Sequence, residues 1–295
     1  MVQLIAASLA GLGLLTASTL LFHRYSWKAL YVIVPVAFAG LALYRVNPEY
    51  YASFLGALTI GSAAGLTFRE NRSFQFYLVT ASLAVSLIFS ANHFGLKKFA
   101  NIDLFMLSKA QFAEQIMKSE LPDDKKQELV SRLDTSMETM KNVVPFLYFL
   151  NGLFFSAVAF FVLRHVARRF SGGAPIENRG LEYFRLHDYF IFTVILGWLG
   201  FMLIGGDSYQ AVRVLSLNTA LVFSMLYVVQ AAGIAKFFML QRGIPLFVLP
   251  LVIFVMVSFF VELILFFLII FASIGAIDFW ADFRKFETAR NSGEK

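Results

Sequence analysis

Residues 245–285 read PLFVLPLVIFVMVSFFVELILFFLIIFASIGAIDFWADFRK. An apolar run reaches from Pro245 to Ile277 with one acid inside it, Glu262, and the chain then switches abruptly to Asp278, Asp282, Arg284 and Lys285. The run is 33 residues long. At about 1.5 Å per residue a helix of that length extends about 50 Å, against a hydrocarbon core of about 30 Å. It must tilt steeply, begin in the interface, or turn back. We read an interfacial start and a crossing from Pro250 to about Gly275. Ala211–Ala235 is a second long apolar run, and the other spans are read as packed around this pair.

The rest of the chain has the same character. Of its 295 residues 59% are hydrophobic and 15% charged, where a soluble domain is nearer half apolar and a quarter charged. Mean hydropathy is +0.71. A soluble core cannot bury so many continuous apolar runs, whereas a bilayer solvates them directly. The formal charge of +6 sits at the ends of those runs, which suits topology and anionic lipid rather than nucleic acid. Cysteine is absent, which excludes disulfides, thiolate chemistry and cysteine-based metal centres.

The expected fold is all-α and polytopic, with about eight transmembrane helices. The spans run roughly over 4–22, 29–44, 51–68, 74–93, 145–165, 189–204, 211–235 and 250–275. The first has no basic region before it and is long enough to cross, so it reads as a retained helix rather than a signal peptide. The third carries Ser53, Ala57, Gly61 and Gly65 at four-residue spacing, which reads as a helix-packing seam. The fifth ends in Arg164, His165, Arg168 and Arg169. Cations there complement the helix C-terminus and lipid headgroup phosphates.

Between spans four and five the composition changes. Residues 97–141 hold eight Lys/Arg and eight Asp/Glu. Ile102, Phe105, Phe112 and Ile116 recur at helical spacing, as do Leu129, Leu133, Met137 and Met140, and Leu121-Pro122 divides the two series. This predicts an extramembrane amphipathic hairpin over 97–143, packed on its own membrane domain or offered to a partner protein. The chain therefore divides into spans one to four (1–96), the hairpin (97–143), spans five to eight (144–285) and a polar tail (286–295).

Eight spans put both termini on one side. The short loops of one face then carry eleven basic residues, among them Arg24, Lys28, Arg69 and Arg242, which places both termini outside. The basic tail with Arg284, Lys285, Arg290 and Lys295 favours the opposite. A ninth crossing within 245–277 would remove the conflict, but no Gly, Pro or Asn marks a turn within its apolar stretch, and the question stays open at this level.

Glu262 falls near mid-depth of the last span, where a carboxylate is costly and faces protein. Ser258 and Ser273 lie within about 40° of its face at about 100° per residue. Span seven offers Ser216, Thr219 and Gln230 on a stripe with Gly233. If the two helices are antiparallel neighbours, these stripes form one polar pocket, and a structural clasp and a ligand or proton site are both open. Asp278 and Asp282 read as helix capping and local ion pairing with Arg284. The histidines at 23, 93, 165 and 187 lack metal-ligand spacing. No phosphate loop, nucleophile elbow or nucleotide-binding glycine fingerprint is present, so neither an enzyme nor a cofactor is expected.

NTALVFSMLYVVQAAGIAKF (218–237), with Gln230 and Gly233, and IGAIDFWADFRK (274–285), with Gly275, Asp278, Asp282 and Arg284, resemble the YybS-like family of bacterial membrane proteins. The weaker PFLYFLNGLFFSAVAFFVLRHVARR (145–169) extends the resemblance over roughly 145–285. The family is similar, more distantly, to substrate-binding subunits of energy-coupling-factor vitamin transporters. The resemblance implies a multi-pass protein of the bacterial inner (plasma) membrane. Two functions are weighed. One is a small-molecule binding or transport subunit using Glu262, Gln230, Thr219, Ser216 and Ser258 for an unknown ligand. The other is a non-transporting scaffold or assembly subunit that docks a partner protein through 97–143. Membrane lipids are expected partners of either, and nucleic acid is not.

Overall fold

The structure is a computed structural model that describes residues 2–42, 48–70, 72–99, 103–170, 180–205, 209–245, 247–259 and 263–284. Among the described residues all regular structure is helical. Among the described residues five stretches are long and apolar enough to cross a membrane: Tyr50–Arg69, Phe74–Lys98, Met140–Ala167, Gln210–Gln241 and Ile264–Ala281. Phe190–Leu203 is apolar but shorter. The chain forms two compact units, one of Met1–Asn71 with Tyr77–Ile176, the other of Arg72–Phe76 with Glu177–Lys295.

The first unit begins with α1 (Val2–Tyr25), a 3-10 turn at Ser26–Ala29, α2 (Leu30–Ala39) and α3 (Pro48–Arg69). α1 and α3 run parallel, and glycine makes their approach close. A Cβ on Gly61 would strike Ser18 Oγ and the Leu15 carbonyl, and one on Gly65 would strike the Thr19 carbonyl and Phe22. Thr19 Oγ1 donates across the seam to the Gly61 carbonyl at 3.1 Å. One turn further, Arg69 Nη1 donates to the Arg24 carbonyl at 2.6 Å and the His23 carbonyl at 3.3 Å, closing the C-terminus of α1. In lipid such seams hold by packing and interhelical hydrogen bonds, because the tails are as apolar as the side chains. Ser53 is exposed and Ala57 half-buried, so the tight part of the seam lies at Gly61 and Gly65.

α4 (Phe74–Phe99), α5 (Leu104–Lys118) and α6 (Asp123–Phe170) follow. α4 and α6 are antiparallel within this unit. Tyr77 donates to the Ser156 carbonyl at 3.0 Å, Ser82 and Val85 close on Gly152, and Ser86 donates to the Pro145 carbonyl at 2.9 Å. α5 folds back on the start of α6, with Lys109 paired to Asp134 at 2.9 Å and Met137 buried between them. The expected second arm of the hairpin and the following span are one 48-residue helix, passing 143/144 without a break. Pro145 removes one backbone donor but leaves the helix continuous.

The second unit holds a 3-10 turn (Leu181–Tyr183), α7 (Phe190–Leu203), α8 (Gln210–Gln241), α9 (Val248–Phe259) and α10 (Ile264–Ala281). Residues 181–203 run antiparallel along α8. Leu181 meets Gly233, Phe190 stacks on Phe223 at 5.0 Å, and Gly197 and Gly200 meet Ala220 and Ser216. α10 instead runs parallel to α8, with Gly275 against the Tyr227 carbonyl and Asp278 against Gln230. The last apolar run thus holds two described helices, α9 and α10, on either side of residues 260–262, which lie outside the described residues. In this register Ile264 is level with Ser216, so the chain between Gln241 and Ile264 travels back about 37 Å along α8. α9 lies on that return, with Leu251, Val252, Ile253 and Phe254 exposed.

Candidate functional site

The most buried polar cluster among the described residues of the second unit centres on Gln230 and Asp278, 2% and 1% exposed. α8 is long, regular and flanked by glycine and alanine, so Gln230 projects from a rigid element into the space Gly233 and Gly275 leave open. The Gln230 carbonyl oxygen accepts from the Leu186 N–H at 2.8 Å. Its amide nitrogen donates to the Gly275 carbonyl at 3.1 Å and to Asp278 Oδ2 at 3.0 Å. One side chain thus joins α8, α10 and the extended segment before α7.

Asp278 is held from a second side. Its Oδ1 accepts from the Phe283 N–H at 3.1 Å, and its Oδ2 lies 4.0 Å from Arg284 Nη2. Arg284 also donates to the Phe184 carbonyl at 2.8 Å. Burial pulls the Arg284 guanidinium below its usual range, Asp278 and Asp282 push it up, and Arg185 pulls it down. Arg185 pairs with Asp282 at 3.2 Å, and its backbone N–H donates to Gln75 Oε1 at 3.2 Å. Asp282 terminates α10 in the left-handed region (φ 41°, ψ 58°), a conformation that Asp tolerates better than most residues. Lys236 and Glu182 form a further ion pair at 2.7 Å, both largely shielded.

Chemically this node is a clasp with few free groups. The Gln230 amide uses its oxygen once and its nitrogen twice, close to its full capacity. Among the described residues no group of three His, Asp or Glu could hold a metal ion.

The residues singled out from sequence are placed as follows. Gln230 is in the node. Ser216 packs against Gly200 of α7 and lies about 21 Å along α8 from Gln230. Thr219 is half-buried and about 16 Å along from Gln230. Ser258 is exposed on α9, and Ser273 is exposed and donates to the Ile269 carbonyl at 2.8 Å. Glu262 lies outside the described residues. Arg164 is half-buried and Arg169 exposed at the C-terminus of α6, while the side chain of Arg168 lies outside the description.

Asp278 was assigned only a local role by sequence reasoning, and Arg185 only a place among the eleven basic residues of one face's loops. The signal that could have found the pair is the abrupt IGAIDFWADFRK, where a glycine one turn before an acid lets a neighbouring helix reach it. The family described as a predicted membrane protein, DUF2232, matches residues 5–279. No curated protein and no solved structure matches the chain.

Proposed function

We propose, from the premise that this chain belongs to the DUF2232 family of predicted membrane proteins, that it is a multi-pass membrane scaffold that docks a partner protein through its α5–α6 hairpin. The observation that carries this reading is the hairpin surface. Phe112 and Met117 are 51% and 59% exposed on a helix that also exposes Met106, Glu114 and Lys118, and Leu121 and Leu129 are exposed as well. Lys109 pairs with Asp134 across the two arms, and Met137 is buried there. The exposed apolar residues are therefore surplus to the hairpin itself. A patch of this kind, rimmed by charge, suits a protein contact outside the bilayer.

The parallel course of α8 and α10 supports a further crossing between them through α9, and with it nine crossings rather than eight. An odd number makes the charge pattern consistent in each unit taken alone. In the second unit Arg185, Lys236, Arg242 and Arg284 then share one end and Arg213 the other.

The test is native mass spectrometry of gently purified protein, wild type against Phe112→Ser with Met117→Ser. The reading expects a stoichiometric polypeptide on the wild type that the variant loses. A polypeptide retained equally by both would overturn it.

The small-molecule reading keeps one support. Asp278 is a buried acid within an apolar helix, and such acids mark binding or proton paths more often than chance. A small molecule retained by wild type and lost in Asp278→Asn, with no polypeptide bound, would favour it.

A further inference from the structure

Two helix ends and the last turns of a third lie at one end of the first unit. α1 and α3 are parallel, so their C-termini coincide, which Arg69 fixes by donating to the carbonyls of His23 and Arg24. α6 passes the same level at Phe160, whose ring packs on Phe68 at 5.4 Å between centroids, and carries Arg164 about 6 Å and its C-terminus about 15 Å further on. The fold thus gathers Arg24, Lys28, Arg69, Arg164, Arg168 and Arg169 from segments up to 145 residues apart in sequence, with Glu70 as the acid at that end of the unit.

Helix dipoles explain only part of this charge. Three C-termini present about half a negative charge each, or about −1.5 in all, against a formal +5 from these side chains. The surplus is consistent with the imidazole of His23, which burial and then Arg69 hold below the usual histidine range. Aromatic rings ring the same level. Tyr25, Trp27 and Tyr31 are 49%, 61% and 83% exposed, as residues at a membrane–water boundary are.

We propose that this end of the first unit is a binding face for anionic phospholipid headgroups, assembled from the C-termini of α1, α3 and α6. Surplus guanidinium charge at headgroup depth pairs with lipid phosphate, and the exposed aromatic rings set the depth. Arg69 keeps its bonds to α1 and acts by holding the ends of α1 and α3 together, while Arg24 and Arg169, both exposed, reach the phosphates. The site is independent of any hairpin partner.

The experiment uses the full chain in neutral detergent, offered phosphatidylglycerol or phosphatidylcholine in mixed micelles, with retained lipid counted by native mass spectrometry. Wild type is expected to retain phosphatidylglycerol preferentially. Arg24→Gln and Arg169→Gln should each lower that preference about fivefold, with helical content unchanged by circular dichroism. Lys98→Gln, at the opposite end of α4, should leave it intact. Equal retention of the two lipids by wild type would overturn the proposal without reference to any variant. So would displacement of the retained lipid by millimolar inorganic phosphate, which would mark a site for soluble phosphate instead.

Discussion

The amide nitrogen of Gln230 lies 3.0 Å from Oδ2 of Asp278, 48 residues further along the chain. Both side chains are sealed from solvent, so neither has water as an alternative partner. Replacing Gln230 with Leu strands the Leu186 N–H and removes one of the donors to Asp278. We expect a loss of about 2–3 kcal/mol, the scale of buried groups left unsatisfied. Gln230→Glu should cost more, since it sets a second carboxylate against Asp278. Thermal unfolding followed by circular dichroism in detergent checks the order Gln, Leu, Glu.

Gly275 presses against the Tyr227 carbonyl, backbone on backbone, with no flexible side chain to yield. Gly275→Ala should separate α10 from α8 and cost about 1–3 kcal/mol as overpacking. Gly65→Ala should do the same between α1 and α3. Gly95→Ala meets nothing within 4 Å and should stabilise α4 by about 0.5–1 kcal/mol through backbone entropy. Equal effects at all three positions would refute the close-approach account.

Because α10 is parallel to α8, Leu263 belongs at the same end of the second unit as Arg213, opposite Arg242. The chain has no cysteine, so single Arg213→Cys, Leu263→Cys and Arg242→Cys variants report without background. A membrane-impermeant maleimide should label the first two from one side and the third from the other. Labelling of Leu263→Cys together with Arg242→Cys would reverse the assigned course of α9.

His23 is held below the usual histidine range, chiefly by burial and then by Arg69. Its imidazole stays neutral in the folded state at a pH where the unfolded chain takes up a proton. Its contribution to stability is therefore lost as pH falls below about 6.5, the unfolded value. Melting temperature should drop from pH 7.5 to pH 5.5 by more in wild type than in His23→Gln. The same drop in both would remove His23 from the account.

The all-helical membrane character was legible in composition and run length. Gln230 stood out too, as a strong polar group in an apolar helix, but its partner did not. The stripe argument joined Gln230 to Glu262 by taking the last two long helices as antiparallel, the default for neighbours joined by a short connection. The connection is instead an apolar stretch long enough to return. Its apolar stretch carries no Gly, Pro or Asn between Pro250 and Gly275 to mark a turn. The glycine spacing at 61 and 65 left a trace because close approach repeats every turn, whereas Ser53 and Ala57 share that spacing but not the contact. Clustering of the cations of α1, α3 and α6 was invisible for a different reason. It depends on which helix ends coincide, and local sequence does not encode coincidence.

α6 continues unbroken from Asp123 to Phe170, about 72 Å of helix at the usual rise. The helix shows no break at which the polar arm and the apolar segment after it could move separately. On the proposed docking, force applied near Asp123 would be delivered as leverage at the opposite end, beside Arg164 and Arg169. Mechanical load and headgroup contact thus share a single shaft.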